Sequence, residues 1–142
     1  MTPLTPAAAD QHRDLAGYWA GLSAGELRAP WCSGCCRFTW PPRPACLHCG
    51  AADLGWERLP ETGRIFTWTV VHYTSLEDFR ALTPYVVALI DVPEAEVRLV
   101  GHVRADPAAV DFGTWLTWRV DSGGGGVPAV FWIPSPEERS DG

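Results

Sequence analysis

Lysine is absent from this chain. All eleven basic residues are arginine, and against seventeen acids they leave a formal net charge of −6. That balance argues against a general nucleic-acid binder, whose electrostatic footprint is usually basic. Also missing is any apolar run of the roughly eighteen residues needed for a membrane-spanning helix. The first ten residues carry neither the basic start nor the long apolar stretch of a secretory leader. The expectation is a soluble, cytoplasmic protein whose thiols stay reduced, which favours metal binding over disulfides. Recognisable catalytic patterns are lacking too. There is no nucleophile elbow, and the glycine run at 123–126 precedes a strand, so it lacks the helix N-terminus that holds phosphate. His48, at the second cysteine pair, reads as an exposed, solvated ring, His72 and His102 fall on strands with no acid at motif spacing, and Asp91 reads as the start of a turn. No catalytic residue is expected.

What the chain does have is two cysteine knuckles, Cys32-x-x-Cys35 and Cys46-x-x-Cys49, ten residues apart, with Gly34 and Gly50 beside them. Each knuckle lets two thiolates converge on one tetrahedral ion from a tight turn, with S–Zn distances of roughly 2.3 Å. Glycine beside a knuckle permits the positive φ that such turns often need. Three prolines, Pro41, Pro42 and Pro44, stiffen the return to the second knuckle. A redox Cys-x-x-Cys comes singly on a βαβ unit, which this is not. The reading is a four-cysteine zinc site with ligands Cys32, Cys35, Cys46 and Cys49. Four thiolates leave no open position for water, so the zinc is structural. Cys36 has no base near it in sequence and reads as a packing or spare thiol.

With 142 residues, 46% hydrophobic and 20% charged, the chain is one domain, or a small module joined to a larger one. Residues 1–9 read as a loose tail. From 10 to about 27 the pattern is helical: Leu15, Tyr18, Trp19 and Leu22 share one face. Gly21 and Ser23 are expected to break it, and Ser23 and Glu26 have the spacing to start a short second turn. The helix either packs on the protein's own barrel or uses its Tyr18/Trp19 face to dock a partner. Strands are expected over 65–73, 85–92, 97–103, 114–120 and 127–133, with a polar loop at 74–83. A short proline-started helix follows Asp106 and stops at Gly113, and 135–142 form an acidic tail. Five strands with a short helix between the third and fourth is the order of an OB-type Greek-key barrel. Strands apolar on both faces suit a small closed barrel with one face covered by something else. Eight tryptophans are many for this length, and some are expected to face a groove or another protein.

The ordered set Gly25-Glu-Leu27, Cys32-x-x-Cys35, Trp40-Pro-Pro-Arg43, Cys46-x-x-Cys49-Gly50, residues 62–72 and residues 83–90 resembles the DUF35 family over most of the chain. The resemblance implies a mainly β protein: an N-terminal tail and helix (1–27), a rubredoxin-like zinc ribbon (28–58), a five-stranded OB-fold barrel (59–134) and a flexible tail (135–142). It further implies a non-catalytic accessory subunit of an acyl-CoA-processing complex. The partner would be a thiolase-like enzyme performing condensation, acyl transfer or retro-aldol cleavage, or alternatively a MaoC-type hydratase, with acyl-CoA at the shared interface. An oligonucleotide-binding module is the rival from another class, since OB folds and zinc ribbons both bind nucleic acids. Cys36 departs from the glycine common after the second ligand and puts the choice between Cys35 and Cys36 in question. Arg37 and Arg43 lie in the arginine-rich stretch 28–58 and are the candidates for CoA-phosphate or partner contact, their bland alternative being surface salt bridges.

Overall fold

The computed structural model describes residues 15–121 and 129–135. The expected N-terminal tail, the start of the helix at residue 10, the glycine loop at 123–126 and nearly all of the acidic tail lie outside them. Helix α1 runs Ala16–Ser23 and ends at the break expected at Gly21 and Ser23, short of the helical pattern that reaches residue 27. It stops because Gly25 adopts φ +82°, while the Ala24 N–H is taken by the Ala20 and Gly21 carbonyls. Ser23 and Glu26 therefore start no second turn. Glu26 instead pairs with Arg28 at 2.9 Å. Gly17 lets the helix lie against the Trp56 ring: a Cβ there would stand 2.0 Å from the indole.

Three short strands follow: β1 Arg28–Cys32, β2 Arg37–Phe38 and β3 Gly55–Arg58, in the order β2-β1-β3, all antiparallel. Trp31 faces Phe38 across one ladder and Ala29 faces Glu57 across the other. The helix packs on this small sheet, not on the barrel as the sequence reading allowed.

The remaining strands are β4 Thr62–Val71, β5 Tyr85–Val92, β6 Val97–Val103, β7 Trp115–Asp121 and β8 Ala129–Pro134. They close into a barrel in the order β4-β5-β6-β8-β7, and β6 meets β8 in parallel at Val103 and Trp132. That is the OB Greek-key order. Strand β4 starts earlier than expected and carries a bulge between Ile65 and Thr67, which bends it around the barrel. It ends at Val71, so His72 is not a strand residue as expected. The loop 74–83 contains a one-turn helix, α2, Glu77–Arg80. The segment after Asp106 is a 3₁₀ turn, Pro107–Ala109, whose first turn is capped by the Asp106 carboxylate accepting the Ala108 N–H at 2.9 Å. Three residues are too few to close an α-helical turn.

Alternation in β5 buries Val86, Ala88, Ile90 and Val92 and leaves Tyr85, Val87, Leu89 and Asp91 half-buried on the outside. Trp132 is fully buried. Gly63 and Gly101 make room for its ring: a Cβ on Gly101 would lie 2.6 Å from it. One apolar cluster joins Leu27, Ala29, Phe38 and Leu59 of the first unit to Ile65, Ile90, Leu116 and Trp132 of the barrel. The Trp118 indole donates to the Pro60 carbonyl at 3.0 Å, tying the connection between the two to the barrel wall. Among the described residues no helix is long and apolar enough to cross a membrane.

Candidate metal centre and surface residues

The first knuckle joins β1 to β2, and the second lies in the connection from β2 to β3. In the first, Cys36 N–H donates to the Cys32 carbonyl at 2.7 Å; in the second, Gly50 N–H donates to the Cys46 carbonyl at 3.0 Å. The second turn is pinned by the Cys46 N–H on the Ala51 carbonyl and by a bridge between Ala45 and Ala52. Two side chains fasten it to β2: buried Thr39 accepts the Leu47 N–H at 3.2 Å, and the His48 Nε2 lies 3.1 Å from the Phe38 carbonyl. His48 is exposed as expected, but it is a tether and not merely a solvated ring.

These turns bring the Cys32, Cys35, Cys46 and Cys49 sulfurs within 4.8 Å of one another. Across the knuckles, Cys32 and Cys49 sulfurs are 3.6 Å apart, as are those of Cys35 and Cys46. A tetrahedron with S–Zn of roughly 2.3 Å has S···S edges of about 3.8 Å, so the four thiols are positioned for one ion. The sulfurs are unbonded to each other, and all five cysteines are free. Cys36 points away, with its exposed thiol 3.8 Å from the Ser33 carbonyl, and is outside the cluster.

The cluster's protons are unevenly held. Cys35 is pushed up to about 12, first by desolvation and then by its thiol contacts with Cys46, Cys32 and Cys49. Cys46 is drawn down to about 6: desolvation raises it, but the amide donors of Cys49 and His48 and contacts with the Cys35 and Cys49 thiols outweigh this. Cys32 is lowered, chiefly by the Cys35 amide. Amides aimed at sulfur stabilise thiolates and orient them, the support a thiolate-bound metal needs. Zinc held here would carry no open site and would act as a staple between the knuckles.

The other sequence-predicted residues are not gathered with the cysteines into one pocket. Arg37 forms an exposed ion pair with Glu96 at 3.2 Å, linking β2 to the turn between β5 and β6. Arg43 is exposed and makes no ion pair among the described residues. Tyr18 packs on Trp40 with ring centroids 6.2 Å apart, and burial pushes its hydroxyl pKa up. Trp19 contacts Tyr18 edge-on at 5.3 Å, and its buried indole N–H has no partner among the described residues. His102 lies on β6 against Tyr85 and Phe79.

Asp91 starts no turn. It sits within β5, between Arg64 at 3.9 Å and Arg98 at 3.5 Å. Register explains it, because Asp91 directly faces Arg64 on β4 and Arg98 on β6. The β5–β6 pairing was open to derivation from the turn at residues 93–96. The arginine–aromatic stacks had no such signal. Arg104 lies 3.6 Å above the Phe131 ring, Arg98 3.8 Å above Phe66, and Arg58 5.0 Å above Trp118. The first depends on the meeting of β6 and β8, the second on β4 and β6 flanking β5, and the third on the small sheet packing against the barrel.

Comparison with known proteins matches residues 19–55 to the rubredoxin-like zinc ribbon domain of ChsH2 and residues 56–120 to the C-terminal OB-fold domain of ChsH2. A probable enoyl-CoA hydratase alpha subunit of Thermomonospora curvata is 28% identical over 102 residues, 72% of this chain and 31% of that protein. The 3-oxo-4,17-pregnadiene-20-carboxyl-CoA hydratase alpha subunit of Mycobacterium tuberculosis is 35% identical over 71% of this chain and 32% of that protein. A DUF35 domain-containing scaffold protein of Pyrococcus furiosus is 28% identical over 52% of this chain and 54% of its own length. The chain thus spans about a third of each hydratase subunit and about half of the scaffold protein. Among solved structures, the Ltp2-ChsH2(DUF35) aldolase has a chain that superposes with TM-score 0.77 at 26% identity, covering 87% of this chain and 95% of that one. A DUF35 protein of unknown function from Sulfolobus solfataricus shares the fold, with TM-score 0.59 at 18% identity.

Proposed function

The chain belongs to the DUF35 family, in the ribbon-plus-barrel form of ChsH2, and from that premise we propose that it is a non-catalytic accessory subunit of an acyl-CoA-processing complex. In this reading it docks on a thiolase-like enzyme that performs condensation, acyl transfer or retro-aldol cleavage, and shapes that enzyme's acyl-CoA channel. The observation that carries it is the likeness, over nearly the whole of both chains, to the DUF35 chain of an aldolase assembly. Chemistry supports it from the other side. Among the described residues the thiols that cluster are metal-type ligands, and His102 stands edge-on against the Tyr85 and Phe79 rings with no carboxylate ion pair. A MaoC-type hydratase is the second reading for the partner, favoured by the two relatives named as hydratase alpha subunits.

The divisions proposed are helix-bearing residues 1–27, ribbon 28–58, barrel 59–134 and tail 135–142, with Cys32, Cys35, Cys46 and Cys49 as the zinc ligands. Of the two arginines named for CoA phosphate, Arg43 is the better suited, since Arg37 is already engaged by Glu96. Tyr18 is largely taken up by Trp40, so partner contact through the helix falls to Trp19 and the exposed Ala16 and Ala20 beside it.

Affinity purification of the tagged chain from its native cells tests the proposal. A thiolase-like or hydratase-like protein recovered at fixed ratio supports it, and Arg43→Ala should then weaken acyl-CoA binding by the assembled complex. Recovery of the chain alone, monomeric, contradicts it.

A further inference from the structure

The two cysteine pairs are held in different ways. Cys32 ends β1 and faces Arg37 of β2, so the first pair sits in the turn of a hairpin and inherits the order of its ladder. The second pair lies in the irregular stretch between β2 and β3, where the backbone pairs on itself at Ala45 and Ala52. Packing grips this turn weakly: Cys46 is buried, but Leu47, His48, Cys49 and Gly50 are all exposed. Its sulfurs nevertheless stand 3.6 Å from those of the first pair, Cys46 against Cys35 and Cys49 against Cys32. Fixing one pair against the other therefore calls for ties that cross from the second turn to the hairpin.

Two side chains make such ties. His48 reaches the Phe38 carbonyl, but its ring is exposed, where water competes for the contact. Thr39 is placed differently. It is 1% exposed, its own N–H donates to the Pro30 carbonyl on β1 at 3.0 Å, and its hydroxyl accepts the Leu47 N–H at 3.2 Å. Leu47 stands between Cys46 and His48, and the His48 N–H donates to the Cys46 sulfur at 3.3 Å. One buried hydroxyl thus joins the hairpin to the peptide beside a ligand. Valine would fill the same space without a polar group to satisfy, so packing alone does not account for threonine there.

We infer that Thr39 is a positioning residue of the metal centre: its hydroxyl, acting through the Leu47 amide, sets the second cysteine pair at the distance from the first that one tetrahedral zinc requires. It works as the groups behind metal ligands do, by orienting them before the ion arrives. The inference rests on the four-cysteine zinc site described above.

Zinc affinity of the full chain, measured by competition with a chromophoric chelator, tests this in Thr39→Val and Thr39→Ser. Valine keeps the shape and loses the hydroxyl, whereas serine keeps the hydroxyl and loses the methyl. Expected is zinc bound about tenfold more weakly by Thr39→Val, and as tightly as by the unaltered chain in Thr39→Ser. The Leu47 amide should also exchange faster in zinc-loaded Thr39→Val, with protection in β5 and β6 unchanged. A role in packing alone predicts the reverse order, because serine leaves a void and valine does not. Thr39→Ala against Thr39→Ser repeats the comparison in a smaller pair if valine prevents folding. Unweakened zinc binding without the hydroxyl, or weakening by serine equal to that by the variant lacking the hydroxyl, would overturn the inference. An unaltered chain that takes up no zinc would overturn it together with the zinc site, an outcome distinct from the other two.

Discussion

Cys36 and Gly50 occupy the same place in the two knuckles. Each follows the second cysteine of its pair, each donates its N–H to the carbonyl of the first, and each has a left-handed backbone, φ +57° for Cys36 and +76° for Gly50. The site therefore has an internal two-fold likeness, broken by a side chain at the one position where glycine fits better. The pull between Cys35 and Cys36 in the sequence is resolved by this geometry, since a residue at that place turns its side chain out of the cluster.

Cys36→Gly should accordingly stabilise the protein. A left-handed non-glycine residue costs roughly 1–2 kcal/mol, and glycine's extra backbone freedom returns about 0.5–1 of that, so the net gain is about 0.5–1 kcal/mol. Thermal unfolding should rise by about 2–4 °C with bound zinc unchanged. A fall in zinc content would make Cys36 a ligand.

Metal content is the second expectation. Elemental analysis should find one zinc per chain, and Cys46→Ala should lose it while Cys36→Ala keeps it. Because structural zinc contributes folding free energy, of the order of 10 kcal/mol in small fingers, the Cys46→Ala protein should lose amide protection in β1, β2 and β3 first. Protection surviving intact there would show that the apolar cluster alone holds the sheet.

Gly17 offers a test of sign. In an exposed helix Gly→Ala stabilises by about 1 kcal/mol. Here the added Cβ would stand 2.0 Å from the Trp56 indole, and overpacking costs about 1–3 kcal/mol, so Gly17→Ala should destabilise. Denaturant unfolding measures this directly. Stabilisation would mean the helix is not seated on β3.

His102 sets a pH dependence. Burial first, and the Arg104 charge second, hold its pKa below the ordinary 6.5. The fold therefore prefers the neutral ring, and the unfolded chain takes up the proton at higher pH. Stability is fully present above about pH 6.5 and falls as pH drops through that value, until the folded state also protonates. Chemical denaturation at about pH 7.5 and 5.5 should show this loss, and His102→Gln should reduce it. An unchanged slope in the variant would assign the effect to other groups.

Much of this architecture was legible before any coordinates. The cysteine spacing pointed to the cluster because tetrahedral thiolate binding allows few spacings. Strands β5 and β6 match the expected 85–92 and 97–103 because Pro84 precedes the first, and the turn at 93–96 separates two segments rich in valine and other apolar residues. The ribbon strands were not delineated: two to five residues carry no readable period. Strand β4 begins at Thr62 and not at residue 65, and Gly63 within it has no side chain to obstruct the Ile90 and Trp132 contacts. Helix α1 ends at Ser23, where Gly21 and Ser23 read as a break, and Leu27 beyond it is buried beside β1. Side-chain ties such as Arg37–Glu96 lie 59 residues apart in sequence and arise only when ribbon and barrel meet.

The measurement that tests the central claim most directly is acyl-CoA turnover by the purified catalytic partner, with and without this chain. The account predicts no turnover by the chain alone. It also predicts that turnover by the partner rises on stoichiometric addition of the zinc-loaded chain and fails to rise with Cys46→Ala. Turnover by the chain alone, or a partner indifferent to its presence, would contradict the accessory-subunit account.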